Sequence, residues 1–225
     1  MKRSEINQHI AEAAAFFAQN CFHLPPWAGW TPEQWRQAGP EADEARAAGL
    51  GWDVTDFNAG RFSALGLTLL TLRNGSPSSG KVYAEKIMLV HQNQVTPYHY
   101  HALKTEDIIN RGGPAAGRLA IQLYNSEPGP GPVRALADTP VSVLCDGVRR
   151  EIPAGGIVTL GPGESITLTP FLYHQFWATE KTALIGEVSS VNNDSSDNYF
   201  LDPLPRFPAI VEDEPPLRLL CTELN

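Results

Sequence analysis

Four side chains in this sequence have the types and spacing to hold one metal ion. His99 and His101 stand two residues apart in the stretch from Gln94 to Gly113, QVTPYHYHALKTEDIINRGG, and Glu106 follows them. On a β-strand residues i and i+2 point to the same face, so the two imidazoles of an H-x-H can converge on one point. His174, far downstream in GPGESITLTPFLYHQFW, offers a third imidazole. The whole chain has six histidines, and two of them sit in this one tripeptide. An H-x-H alone could be a solvated polar face. With Glu106, Gly112-Gly113 and His174 also in place, a four-ligand metal site is the stronger reading. Imidazole and carboxylate ligands suit Mn²⁺, Fe²⁺, Zn²⁺, Co²⁺ or Ni²⁺. One such ion per chain is expected, with Mn²⁺ placed first. One geometric difficulty stands out: strict alternation turns Glu106 away from the face of His101. A β-bulge or a break in the strand between them is needed, and it would also re-aim Lys104 towards the same cavity.

Other ionisable residues could act beside such an ion. Lys104 lies between the ligands; it is either an exposed lysine at a barrel rim or a proton donor. Beside a divalent cation its pKa is expected to fall, through like-charge repulsion and desolvation. Glu187 is a lone carboxylate in the apolar run LIGEVSS. It is either outward-facing or the base that moves a proton at the substrate carbon, with Glu85 and Asp194 as alternatives. In VYAEKIML one of Glu85 and Lys86 must face inward if the strand lines a barrel, and Lys86 is taken as a substrate-binding candidate. Asn192, Asn193 and Asp194 could be a plain solvated turn, but Asp194, and Arg206 from the tail, are candidates to pair with substrate hydroxyls. His9, His23 and His91 read as surface or connector histidines. Trp27, Trp30, Trp35 and Trp52 read as core anchors rather than stacking platforms.

These residues need a scaffold, and the pattern around them is mainly β. Ser4 can cap a helix running to about Asn20, with Ile6, Ile10, Ala13, Phe16 and Phe17 on one face. Thr31-Pro32-Glu33-Gln34 is a capping box. A short helix over Glu41–Ala48 should stop at Gly49. From Trp52 onward strand-length apolar runs appear between turn residues: Phe62–Leu72, Val82–His91, Thr96–Ala102, Glu106–Asn110, Arg118–Tyr124, Val141–Cys145, Val148–Ile152, Glu164–Thr169, His174–Ala178 and Ala183–Ser189. Asp146-Gly147 is a type I′ turn signal. Asn74–Gly80 and Glu127–Pro132 read as loops. Many evenly spaced strands without helix alternation predict a β-sandwich or barrel.

Composition narrows the function class. The 225 residues suit one domain, or one with an extension. A formal net charge of −8 argues against nucleic acid or an anionic membrane as partner. No apolar run is long enough to span a bilayer. The start, MKRSEINQHIAEAAAFF, carries acidic and amide side chains that a signal peptide lacks. Cys21, Cys145 and Cys221 are odd in number and widely spaced, and read as reduced thiols of a cytoplasmic protein.

HYHALKTE followed by Gly112-Gly113 resembles the first signature of the cupin superfamily, and GPGESITLTPFLYH resembles the second. More closely, the run HxHxxKxEDIINRGG, the helical N-terminal arm and the late GEVSSVNNDSSDN segment resemble the bacterial D-lyxose isomerases over nearly the whole chain. The resemblance implies a cupin barrel, a double-stranded, jelly-roll-like β-helix. A helical arm over residues 1–51 would pack on the barrel at 52–198, and a tail at 199–225 would wrap it. It further implies a homodimer, a functional Lys104, and a metal-dependent sugar isomerase converting D-lyxose to D-xylulose through a cis-enediol, with D-mannose to D-fructose as second activity. An Fe²⁺ cupin dioxygenase and a non-catalytic sugar-binding module are the two rivals.

Overall fold

Two facing antiparallel sheets enclose the main core, and one helix covers part of the outer face of the larger. The structure is a computed structural model that describes residues 1–224 apart from 77, 79, 130 and 132. The larger sheet contains β1 (Gly51–Thr55), β2 (Leu67–Arg73), β3 (Tyr83–Val90), β5 (Glu106–Asn110), β8 (Val141–Cys145), β9 (Val148–Ile152), β11 (Ser165–Leu168) and β13 (Ala183–Ser190), ordered β1-β2-β3-β13-β5-β11-β8-β9. The smaller contains β4 (Thr96–Tyr100), β6 (Arg118–Ser126), β10 (Ile157–Leu160), β12 (Leu172–Thr179) and β14 (Tyr199–Phe200), ordered β10-β6-β12-β4-β14, with β7 (Leu136–Ala137) against β6. From β3 to β6 and again from β9 to β14, consecutive strands alternate between the sheets. That winding is the expected double-stranded, jelly-roll-like β-helix.

Burial on both faces explains why Leu69–Leu70 of β2, Ile87–Val90 of β3 and Ala183–Ile185 of β13 are apolar without alternation. Leu69, Met88, Val90 and Ile185 point between the sheets, where they meet Leu119, Ile121, Leu123 and Phe176 of the smaller sheet. Their neighbours Leu70, Leu72, Ile87, Leu89 and Leu184 point outward, under α1 (Arg3–Gln19). Helical spacing brings Ile6, Ile10, Ala13 and Phe17 onto that surface. Ile6, Ile10 and Phe17 each contribute roughly 1.5–3 kcal/mol by leaving water.

Local signals fared unevenly. α1 begins two residues earlier than expected: Lys2 is its N-cap, and the Lys2 N–H donates to the Glu5 carboxylate at 2.7 Å. Ser4 instead donates its hydroxyl to Asp213 at 2.7 Å, a partner 209 residues away that no local pattern announces. The capping box at α2 (Pro32–Gln37) is present in both directions, with Thr31 N–H donating to Gln34 Oε1 at 2.8 Å. α3 (Asp43–Ala47) stops before Gly49, whose φ is +63°. The β8–β9 hairpin has positive φ at both Asp146 (51°) and Gly147 (78°), as a type I′ turn requires. β1, β7, β10 and β14 fall outside the expected runs; two of them are only two residues long and are set by their partners rather than by propensity. Of the two expected loops, positions 77, 79, 130 and 132 lie outside the described residues.

The C-terminal segment ties back to the N-terminus. Arg3 is buried between Glu212 and Glu223, the Met1 ammonium donates to the Ala209 carbonyl at 2.8 Å, and Asn7 donates to Glu214 at 2.6 Å. Trp27, Trp30 and Trp35 cluster with Leu219 and Leu224, and Trp52 donates its indole N–H to the Ala28 carbonyl. No helix among the described residues is long and apolar enough to cross a membrane.

Candidate active site

The change of sheet after β4 removes the geometric difficulty with Glu106. β4 ends at Tyr100 in the smaller sheet, and β5 begins at Glu106 in the larger one. His99 is in register with His174 of β12, and His101 lies just past the end of β4. Glu106 faces them from the opposite wall, 3.6 Å from His101 Nε2 and 3.2 Å from His174 Nε2. No bulge lies between His101 and Glu106; the strand breaks and the chain crosses the barrel. Asp197 holds the crossing segment. Its carboxylate accepts the backbone N–H groups of Ala102 (2.7 Å), Leu103 and Lys104 (3.0 Å).

Each imidazole is fixed by a backbone carbonyl. His99 Nδ1 meets Pro97 O at 2.8 Å, His174 Nδ1 meets Leu172 O at 3.0 Å, and His101 Nδ1 meets Asp197 O. A carbonyl can only accept, so each Nδ1 donates, which leaves each Nε2 as the ring nitrogen available to a metal. His99 and His174 rings lie 4.1 Å apart. Burial, with His174 and His101 adding, pushes His99 well below the usual histidine range, and burial with Lys104 brings His101 down to about 4. Neutral imidazoles are what a metal requires. Ring nitrogens of all three lie within 4.8 Å of one another, and His174 Nε2 is a buried atom with no hydrogen-bond partner. The three histidines are thus positioned to bind a metal ion. Glu106 is drawn aside by Lys104, whose ammonium lies 2.7 Å from Oε2. Burial alone would raise Glu106, but the Lys104 ammonium outweighs it and holds the carboxyl well below its usual range.

A row of buried charges leads away from the histidines. Lys104 Nζ donates to Glu187 Oε1 at 2.8 Å. Glu187 on β13 is in register with Lys86 on β3, whose Nζ lies 3.5 Å from the same oxygen. Alternation therefore points Lys86 inward and Glu85 outward, where it pairs with Arg73. Lys86 also donates to Asn192 (2.7 Å) and Asp194 (3.2 Å). Arg206 follows, 3.6 Å from Asp194 and bound to the buried Asp53 of β1. Burial would lower Lys104, but Glu106, Glu187 and Asp194 reverse the sign and hold it above the usual lysine range, opposite to the effect expected from a neighbouring cation alone. Asp194 is held well below its usual range because Lys86 and Arg206 outweigh its burial. Phe57, Leu67, Leu69, Met88, Ile108, Phe176 and Phe200 form the apolar wall of the same cavity.

All nine sequence candidates, His99, His101, Glu106, His174, Lys104, Glu187, Lys86, Asp194 and Arg206, thus line one cavity. Asn192 joins them, accepting from both lysines. Sequence reasoning missed Asp53, Asp197, Thr96 and Asn198. Asp53 had a signal, a carboxylate inside the strand GWDVT; Asp197 had none. His9 and His91 sit instead at the α1 seam, each 3.8 Å from Glu12. His23 is exposed in the connector.

Comparison with known proteins follows the same direction. The family model described as D-lyxose isomerase matches residues 1–224. A D-lyxose/D-mannose isomerase of Escherichia coli O157:H7 is 49% identical over 99% of this chain and 98% of its own length. One from Serratia proteamaculans is also 49% identical, over 99% and 97%. Among solved structures, an L-ribose isomerase variant of Acinetobacter sp. DL28, in complex with L-ribose, shares the fold with a TM-score of 0.60 at 16% identity, covering 94% of this chain and 98% of that one. The Cellulomonas parahominis L-ribose isomerase has a TM-score of 0.57 at the same identity and coverage.

Proposed function

We propose, from the premise that this chain belongs to the D-lyxose isomerase family, that it is a metal-dependent aldose–ketose isomerase. Its substrates are D-lyxose, converted to D-xylulose, and D-mannose, converted to D-fructose. The observation that carries this reading is a buried triad of imidazoles and the Lys104–Glu187 pair in one cavity. His99, His101, His174 and Glu106 would hold the ion, with Mn²⁺ the first candidate. A divalent cation held there would supply Lewis-acid polarisation of the sugar carbonyl.

The chain's own residues supply the proton chemistry. Glu187 is a carboxylate flanked by two ammonium groups and not engaged by the histidines. It takes the proton from C2 of the open-chain aldose and returns it to C1. Lys104, held protonated by its carboxylate neighbours, donates to O1 as negative charge develops there and recovers a proton from O2 as the ketone forms at C2. Lys86, Asp194 and Arg206 bind the hydroxyls, and the apolar wall excludes water from the enediol. Three free cysteines fit a cytoplasmic enzyme. A homodimer is supported by Tyr83 and Val188, exposed apolar side chains on one outer face of adjacent strands.

Metal content tests the ligand set. The purified protein should carry about one divalent transition metal per chain. His101→Ala and His174→Ala should each lose it, together with formation of ketose from D-lyxose. Full metal content in both variants would overturn the assignment.

A further inference from the structure

Among the described residues, six buried side-chain polar atoms have no hydrogen-bond partner, and three of them belong to residues that line the active-site cavity: Thr96 Oγ1, His174 Nε2 and Arg206 Nη1. His174 Nε2 belongs to the imidazole triad. Arg206 Nη1 has no such use. Its side chain is only 10% exposed, and its other terminal nitrogen, Nη2, is fixed on Asp53. The guanidinium also packs on the Phe207 ring, 4.9 Å from the centroid. A charged donor held rigid, buried and without an acceptor is costly unless something binds it.

We propose that Arg206 recognises the end of the sugar farthest from its carbonyl, donating from Nη1 to the terminal hydroxyl and so setting specificity there. This rests on the isomerase reading above. The order of contacts places Arg206 at the far end. From the histidines the row runs through Glu106, Lys104, Glu187, Lys86 and Asp194 before reaching it. With the carbonyl end held beside Lys104 and Glu187, the other end of an open chain extends towards Arg206. The charge balance also selects the ligand class. At this end Lys86 and Arg206 already face Asp53 and Asp194. A phosphate or carboxylate terminus would meet two buried carboxylates, whereas a neutral hydroxyl accepts from Nη1 without adding charge. The site therefore suits free sugars rather than sugar phosphates or sugar acids. Asp53 is the positioning residue that keeps Nη1 aimed.

The test is a cycle between enzyme and substrate. kcat/KM is measured for D-lyxose and for 5-deoxy-D-lyxose with the wild-type enzyme, Arg206→Met and Arg206→Lys, each metal-loaded and checked for thermal unfolding. Wild-type enzyme should prefer D-lyxose by roughly 10²-fold, because a site built to bond a hydroxyl rejects the analogue lacking it. Both variants should lose most of that preference, since Lys can keep the Asp53 pair but has no second forked nitrogen. Should Arg206→Met fail to fold, Arg206→Lys decides alone. A preference unchanged from wild type would overturn the inference while leaving the isomerase reading intact. Absence of D-lyxose turnover in the wild-type enzyme would strike the isomerase reading itself and remove the inference with it.

Discussion

Glu187 and Lys104 meet at 2.8 Å in a cavity wall, each a group that could be mistaken for an ion pair with a purely structural role. Glu187→Gln separates the two readings, because the amide keeps shape and polarity but cannot take a proton. It should retain metal and sugar binding and lose turnover by at least about 10². Wild-type-like kcat would leave the proton to another carboxylate. The histidines bear on pH in a different way. His101 titrates at about 4 in the folded chain because it is buried beside Lys104, against an ordinary 6.5. Between those values the unfolded chain binds the proton and the folded chain does not, so metal-free protein loses stability as pH falls through 6.5 towards 4. Asp194, depressed below 3.8, stabilises the fold above that value and loses its contribution only at lower pH. The two windows are therefore separable. In metal-free His101→Gln the dependence of Tm on pH should flatten between 6.5 and 4, and an unchanged slope would contradict the assignment. The proximity of His99 and His101 was legible because H-x-H has a period-two meaning. The orientation of Glu106 was not, because its face depends on which sheet the chain enters after Tyr100.

Among the elements, one device holds the site and a second ties the two ends of the chain together. Asp197 accepts three backbone N–H groups of the crossing segment and fixes the His101 ring through its carbonyl. Asp197→Ala should therefore weaken metal binding by about 10–100-fold, as loss of an orienting partner does, measurable by competition with a chelator. Unaltered affinity would mean the crossing segment holds itself. The second device is the clasp of the termini around Arg3. Removing this buried guanidinium from two carboxylates should cost about 2 kcal/mol in Arg3→Ala, read as a lower denaturant midpoint. Periodicity revealed α1 and its buried face, and turn chemistry revealed the β8–β9 hairpin. Neither could reveal the clasp, since Ser4 and Asp213 are joined only by tertiary folding. The same holds for Asp53, visible as an odd carboxylate in a strand but without a sign of its partner Arg206, 153 residues away.

For the whole molecule, the double-stranded β-helix explains how residues from five strands and the tail reach one cavity. Consecutive strands alternate between the walls, so the smaller sheet brings His99 and His174 and the larger brings Lys86, Glu106 and Glu187. The mainly β class was legible from evenly spaced strands; the winding order was carried by family resemblance, because pairing partners leave no local trace. The central claim is a proton transfer between adjacent carbons, and isotope incorporation reports on it directly. Metal-loaded protein is incubated with D-lyxose in deuterated water, with and without oxygen, and the ketose is examined by NMR. D-xylulose labelled at C1 should form at the same rate under both conditions. Ketose formed with no solvent label would contradict the role given to Glu187, and failure to form any ketose would contradict the isomerase assignment.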